Sequence, residues 1–312
     1  MARSNKKIAL IVAGGTTLAE KNYLKVERES DLEKWIAEIP ELSIMAEVEP
    51  LFLCGEDHQV GIDLWQNLSR LIFDNLGKYQ GFIVTSPMEE ILINSLAVSF
   101  AIKNLNKPVV FTSSQLGRDN KPIGLGIKAH LIDALQVATM DLPAVGLMLS
   151  NKYIRAVRAT ESSDPAVGPF SCPDESFLAK VDFGVSLSDR IRPPKGEPFL
   201  ANNFGRVLLF KYYPGLSFEK FDARAFDGLM VNALAGRAFD ERLAGELSGL
   251  ARPALAFHPS WLEEIKKENI LTITGITKMT ALVKFMWALG QTKEPQKLQK
   301  IMQEDICQEF LA

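Results

Sequence analysis

The first apolar run of the chain places the strongest limit on what it can fold into. Residues 8–13 are six consecutive apolar residues, and Gly14, Gly15, Thr16 and Thr17 follow at once. A run this short cannot span a membrane and is typical of a strand buried on both faces of a parallel sheet. Glycines let the backbone turn sharply and approach a ligand, and open parallel sheets bind ligands at the carboxyl ends of their strands. By itself this pattern is more often an ordinary strand-to-loop turn; the alternative is that Gly15, Thr16 and Thr17 line a binding site.

Composition and charge exclude several classes of protein. The formal net charge of -3 argues against general binding of nucleic acid or of an anionic membrane. The dinucleotide-binding spacing G-x-G-x-x-G does not follow the first strand. The 3 cysteines and 3 histidines are scattered, which is typical of a reducing compartment and favours neither a disulfide framework nor a metal site. We expect a cytoplasmic protein without a metal, a cofactor, a signal peptide or a transmembrane segment.

Strand and helix patterns alternate along the chain. Apolar runs typical of strands recur at residues 47–53, 81–85, 108–112, 144–149 and 154–157, with helical patterns at 88–104 and 123–140. Such alternation predicts right-handed crossovers and a parallel, Rossmann-like sheet. The fold class that we predict is α/β, with a larger N-terminal domain at 1–190 and a smaller C-terminal α/β domain at 204–312. The stretch at 191–203, which is rich in proline, is the predicted linker.

Motifs along the chain resemble the bacterial-type L-asparaginase family. The run Gly14-Gly15-Thr16 is similar to part of the family's first signature, T-G-G-T-I, and the strand at 81–85 resembles the one that leads into its second signature. Residues 107–112 resemble the family's next strand, and residues 117–120 resemble its D-G-R-x-N loop. Residues 274–289 and 291–295 are similar to its last two helices. The resemblance covers nearly the whole chain and implies an asparaginase-like fold.

The resemblance also implies an acyl-transfer centre at Thr16. Family members hydrolyse the side-chain amide of asparagine, and sometimes of glutamine, through a threonine hydroxyl that forms an acyl-enzyme, and Thr16 matches that nucleophile. The family's H-G-T-D-T segment, with its Thr-Asp pair, is replaced here by residues 86–90, S-P-M-E-E. Aligning Arg155 and Asp164 with the family's arginine and aspartate puts Ala159 at the position of the family's lysine. A threonine hydroxyl needs a base, so these departures imply that the chemistry is lost or changed.

Ser86 and Glu89 have two interpretations. Ser86 as N-cap, Pro87 at the first helical position and Glu89 three residues after the cap form a Ser-x-x-Glu capping box at a helix start. Alternatively, Ser86 and Glu89 contribute to a binding site, and Glu89 or Glu90 replaces the missing carboxylate beside Thr16. The first interpretation is structural and the second is functional.

A polar loop and a tyrosine complete the candidate ligand-binding residues. Counting back from Trp65 puts Asp57 and His58 where the family has the pair that holds the carboxylate and amine of its substrate. Asp57 would repel a carboxylate unless a protonated His58 neutralised it, and a plain polar loop is the alternative. Tyr23, seven residues after Thr16, is similar to the family's loop tyrosine but follows at a shorter spacing. Residues 234–237 replace the family's G-x-G-N loop.

Three hypotheses about function follow. The leading one is an asparaginase-fold protein that has lost or changed the amide hydrolysis and binds a small polar, amino-acid-like ligand or a protein partner. The second is a divergent amidohydrolase that uses Thr16 with Glu89 or Glu90, and the third is a subunit that supports a larger assembly. The resemblance further implies a homodimer or a dimer of dimers, because the family's pocket lies between the large domain of one subunit and the small domain of its neighbour.

Overall fold

The computed structural model describes residues 6–58, 60–114, 126–149, 151–162, 168–174, 177–188, 191–233, 241–259, 267 and 269–311. The chain divides into two compact units, Met1–Leu200 and Ala201–Ala312. Phe199–Leu200, inside the predicted linker, forms a short strand that pairs with Ile102–Lys103. The linker and the exact domain limits stay predictions. In the described ranges, no helix is long and apolar enough to cross a membrane.

The first unit contains a large mixed sheet and several short strands outside it. Its strands are β1 (Lys7–Ala13), β2 (Glu47–Cys54), β3 (Gly81–Thr85), β4 (Ile102–Lys103), β5 (Val109–Thr112), β6 (Val145–Met148), β7 (Lys152–Arg155), β8 (Thr160–Glu161), β9 (Phe170–Ser171), β10 (Ala179–Val181), β11 (Val185–Leu187) and β12 (Phe199–Leu200). Its α-helices are α1 (Leu32–Ala37), α2 (Glu41–Met45), α3 (Ile62–Asp74), α4 (Ile91–Ala101) and α5 (Gly126–Ala138). Among the described residues, eight strands form one sheet in the order β11-β10-β7-β6-β5-β3-β1-β2.

Five neighbouring strands of this sheet, β2, β1, β3, β5 and β6, run parallel, as the strand–helix alternation predicts. The other three, β7, β10 and β11, are antiparallel to their neighbours. Only residues 149–151 separate β6 from β7. A connection this short allows an antiparallel pair, whereas a parallel pair needs a crossover of a dozen or more residues.

The predicted strand with two buried faces is confirmed: it is β1, which lies between β3 and the edge strand β2, at the point where the strand order reverses. Residues 8–13 of β1 are fully buried. The chain passes from β1 to its neighbour β2 and then crosses to β3 on the other side of β1. Open α/β sheets bind ligands in the crevice at the carboxyl ends of strands at such a switch point. The Gly14-Gly15-Thr16 loop follows β1 at this edge of the sheet.

The helix after β3 begins later than the sequence pattern predicts. It covers Ile91–Ala101 rather than 88–104, and its N-cap residue makes no side-chain capping bond. The Ser86 N–H donates to the Thr112 carbonyl at 3.1 Å, and the Ser86 hydroxyl accepts from Asn94 Nδ2 at 3.0 Å. The capping-box prediction for Ser86 and Glu89 is therefore wrong, because Ser86 extends the hydrogen bonding of the sheet and its hydroxyl is taken by a side chain inside α4.

The second unit is a smaller α/β layer, in agreement with the predicted fold class. Its strands are β13 (Val207–Lys211), β14 (Gly228–Asn232), β15 (Ala254–Phe257) and β16 (Ile270–Ile273), and they form a parallel sheet in that order. Its helices among the described residues are α6 (Glu241–Gly249), α7 (Lys278–Gln291) and α8 (Pro295–Gln303).

A buried ion pair holds the end of the chain against α7. Lys284 and Glu309 have no exposed side-chain surface, and their charged atoms lie 2.6 Å apart. Lys284 Nζ also donates to the carbonyls of Met302 at 2.9 Å and Glu304 at 2.6 Å. Three oxygen partners around one ammonium group offset much of the cost of removing its charge from water.

Candidate functional site

The loop after β1 can exist only because two glycines follow the strand. Gly14 and Gly15 have φ values of 79° and 66°, a region that costs other residues energy. A Cβ atom on Gly15 would lie 2.1 Å from the Ser86 carbonyl oxygen, and one on Gly14 would lie 2.9 Å from the Pro87 ring. The loop is thus pressed against the segment that follows β3, at the switch point of the sheet.

All the polar groups of Thr16 have partners inside the protein. Its side chain is completely buried, and its hydroxyl donates to Glu56 Oε1 at 2.8 Å while accepting from the Val26 N–H at 2.9 Å. Its backbone N–H donates to the same Glu56 oxygen at 2.7 Å, and its carbonyl accepts from the Trp35 indole at 2.7 Å. The predicted nucleophile is therefore held rigidly in a closed set of hydrogen bonds.

Glu56 lies at the centre of the site, and sequence reasoning missed it in favour of the two residues that follow it. Its Oε1 takes both Thr16 donors, and its Oε2 accepts from the Gly15 N–H at 2.9 Å. Successive backbone N–H groups in a tight turn form a concavity that favours an anion, and hydrogen bonds to a carboxylate are the stronger kind. A signal was available: Glu56 follows β2 just as Thr16 follows β1, and the two strands are parallel neighbours.

His58 anchors the end of the loop that carries Glu56. Its Nε2 lies 3.0 Å from Glu90 Oε2, and its Nδ1 lies 2.8 Å from the Gly55 carbonyl oxygen. Both partners are oxygen atoms. The two hydrogen bonds form together in either of two cases: both ring nitrogens carry a proton, or the Glu90 carboxyl carries one and donates it to Nε2. The His58 side chain is 8% exposed, and its Cε1 would lie 3.3 Å from a Cβ on Gly14. His58 therefore packs beside the glycine loop.

The other sequence candidates are more exposed than Thr16. Thr17 is half-buried, whereas Tyr23, Asp57 and Glu89 are exposed. In the described part of the chain, no hydrogen bond joins Tyr23, Asp57 or Glu89 to Thr16. The structure thus brings together Gly15, Thr16, His58 and Ser86 at the glycine loop. Gly15 and Thr16 donate to Glu56, a carboxylate that the sequence patterns did not single out. The roles of all eight candidates as site residues stay predictions.

The position aligned with the family's lysine offers no cation to Thr16. Ala159 is completely buried. The neighbouring Arg158 donates to Asp174 at 2.6 Å and so forms an ion pair of its own. Asp164 and the segments 117–120 and 234–237 lie outside the described residues. Within the described ranges, no group of three or more His, Cys, Asp or Glu side chains could hold a metal ion.

Cys54, at the end of β2, is kept as a neutral thiol. Burial raises the pKa of Cys54 to about 12, and the negative charges of Glu90 and Glu56 add to the effect. Because the thiolate is the reacting form, we expect native Cys54 to be alkylated by iodoacetamide at about pH 8 roughly 10²–10³ times more slowly than in the urea-unfolded chain. Peptide mapping by mass spectrometry measures both rates. Equal rates in the two states would contradict the raised pKa.

Comparison with known proteins agrees with this fold. A family model described as "Asparaginase, N-terminal" matches residues 7–192. The L-asparaginase of Thermococcus kodakarensis is 25% identical over 271 residues, covering 79% of this chain and 80% of that protein. A glutamyl-tRNA(Gln) amidotransferase subunit of Thermofilum pendens is 23% identical over 342 residues, covering 97% of this chain and 75% of that protein.

Two solved structures have the same fold. The thermostable L-asparaginase from Thermococcus kodakarensis superposes with a TM-score of 0.79 at 22% identity, covering 98% of this chain and 99% of that one. L-asparaginase I from Vibrio cholerae superposes with a TM-score of 0.77 at 21% identity, covering 99% and 100% of the two chains. Since the family model also spans more than half of the sequence, this chain belongs to the asparaginase family.

Proposed function

We propose that this chain is an asparaginase-fold protein that has lost or changed the family's amide hydrolysis and binds a small, polar, amino-acid-like ligand at the Thr16 loop. The observation that carries the proposal is the closed hydrogen bonding of Thr16, whose hydroxyl is buried between Glu56 and Val26. Acyl transfer needs a nucleophile that can reach the substrate and free donors for the oxyanion that develops. Here Glu56 occupies the N–H donors of both Gly15 and Thr16.

A divergent amidohydrolase is the second candidate. Glu56 Oε1 lies 2.8 Å from the Thr16 hydroxyl oxygen, which is the spacing of a nucleophile and its general base. The same carboxylate fills the N–H donors that an acyl oxyanion would use. Glu56 has to leave before a substrate carbonyl can enter, and Thr16 then loses this base. The arrangement therefore favours binding over hydrolysis.

We expect the purified protein to release no more ammonia from asparagine or glutamine than its Thr16→Ala variant does. Losing a positioned acid–base group typically costs ~10²–10⁴ in rate, and catalytic groups that act as a unit fail together. A coupled ammonia assay over hours measures the release. Glu56→Gln is the matched variant, because Glu56 is the carboxylate that contacts Thr16 within the described ranges. Turnover that is lost in both variants would replace the binding proposal with the amidohydrolase.

For the assembly state, we propose a homodimer or a dimer of dimers in the cytoplasm. The support is the resemblance to a family whose pocket lies between subunits. Sedimentation velocity at micromolar concentration tests it, and a monomer there would contradict it. One relative is named as a subunit of an amidotransferase, so a role as a supporting subunit is the alternative. Co-purification of a partner at a defined stoichiometry would favour that role.

A further inference from the structure

Three donors of the Thr16 loop converge on a single carboxylate. The Gly15 N–H donates to Glu56 Oε2 at 2.9 Å, while the Thr16 N–H and hydroxyl donate to Oε1 at 2.7 and 2.8 Å. Both oxygens of one carboxylate are used, and the donors are set by the backbone and one buried side chain. The arrangement is therefore a receptor for a carboxylate group in general, whichever molecule supplies it.

The donors of the receptor are held by contacts with several other segments. Gly15 packs on the Ser86 backbone and Gly14 on the Pro87 ring, and the Trp35 indole and the Val26 N–H donate to Thr16. Thr16 is completely buried within these contacts. Because its donors cannot turn away to find other partners, the receptor would be costly to leave empty.

The carboxylate, in contrast, is carried by a surface loop. Residues 55–58, which we call the strap, include a half-buried Glu56 and an exposed Asp57. The strap is anchored at both ends. A Cβ on Gly55 would lie 2.4 Å from the Glu27 carbonyl oxygen, so the chain passes very close to that backbone, and His58 is bound to Glu90.

We propose that Glu56 is an internal stand-in for the carboxylate of a small ligand, and that the strap must lift before that ligand can enter. This inference rests on the proposed binding function and specifies its ligand class and its control. Two carboxylates cannot share three donors, since like charges a few ångströms apart repel each other. Ligand and Glu56 therefore compete for the same donors. The larger the fraction of the protein with the strap closed, the weaker the apparent affinity for the ligand.

The experiment uses acetate as the probe, with chloride at equal ionic strength as the salt control. In Glu56→Ala, the three donors lose their carboxylate, and we expect acetate to raise the melting temperature with a saturable dependence on concentration. Wild type should require at least ten times more acetate for half of the effect. Glu33→Ala removes the same charge from an exposed position in the first turn of α1, and we expect it to respond as wild type does.

A second variant keeps the proposal open to contradiction if Glu56→Ala does not fold in chloride. Folding in acetate but not in chloride would support the receptor. If the variant folds in neither salt, Glu56→Gln is used, and we expect saturable acetate binding by ¹³C-acetate NMR that is tighter than in wild type. A Glu56 variant that responds to acetate no more than Glu33→Ala does would overturn the proposal.

The outcome separates this inference from the proposed function. If acetate stabilises the Glu56 variant but no amino acid binds, the inference about the strap is supported and the proposed amino-acid-like ligand is contradicted. Ammonia release that appears in Glu56→Ala would contradict the loss of chemistry, yet would agree with a closed strap in the wild type.

Discussion

Gly15→Ala is expected to lower the free energy of unfolding by about 3 kcal/mol or more, the range reached only by severe local defects. The backbone there has a φ of 66°, and the new Cβ would lie 2.1 Å from the Ser86 carbonyl oxygen. A left-handed conformation alone costs roughly 1–2 kcal/mol for a residue with a side chain. The remainder is the cost of moving the Gly15 backbone away from the Ser86 backbone. This cost is large because the Cβ would meet backbone atoms, which cannot move aside as a flexible side chain can. Urea unfolding followed by circular dichroism measures the loss.

Gly275→Ala is the matched control for the backbone conformation. Gly275 has a φ of 73°, and the nearest atom to its added Cβ would be Phe310 Cδ1 at 3.7 Å, an ordinary contact. We expect a loss of roughly 1–2 kcal/mol, from the conformation alone. The difference between the two variants then reports the overlap with Ser86. Equal losses would mean that the glycine loop is not pressed against the end of β3.

The second large effect is expected for Lys284→Met. The substitution keeps an unbranched side chain but leaves the fully buried Glu309 carboxylate without its cation, and it removes the donor from the Met302 and Glu304 carbonyls. Removing one partner of a buried ion pair typically costs 3–5 kcal/mol, so we expect a loss of about that size in urea unfolding near neutral pH.

Lys297→Met provides the comparison. Lys297 pairs with Glu294 at 2.9 Å, but about two thirds of each side chain is exposed. Exposed pairs of this kind contribute about 0–1 kcal/mol. A loss for Lys284→Met no larger than the loss for Lys297→Met would show that the buried pair does not hold the end of the chain.

Acid should distinguish Lys284→Met from wild type by the sign of its effect. Burial by itself raises the pKa of Glu309, but the adjacent charge of Lys284 and the hydrogen bonds that the carboxylate accepts lower it further, so the net pKa lies below its usual range. A lowered carboxyl pKa stabilises the fold above the unfolded-state value of about 4, and this stability is lost as pH falls through the folded value. In Lys284→Met the cation is gone and only the N–H groups of Ile306 and Cys307 still oppose the effect of burial, so we expect protonation of Glu309 to cost the variant less stability than it costs wild type. The difference in stability between the two proteins should therefore shrink below about pH 4.

The local pattern of the sequence determined the buried strand β1 and the turn that follows it. Six consecutive apolar residues can be accommodated only where both faces are covered, and β1 is fully buried. The glycine pair correctly indicated a sharp turn at the carboxyl end of that strand. These features depend on residues that are adjacent in the chain, so periodicity and residue type were enough to predict them. The family resemblance, spread over nearly the whole length, then indicated the α/β fold.

Partners that are distant in the chain were decided by the tertiary structure. Glu56 meets Thr16 across 40 positions, because parallel pairing places the ends of β1 and β2 side by side and the Glu56 side chain of the strap turns towards the Thr16 loop. Ser86 has the local signature of a helix cap, yet the carbonyl at the end of β5 and the Asn94 amide compete successfully for its polar groups. A hydrogen bond depends on distances of a few tenths of an ångström, and strand register and packing set those distances.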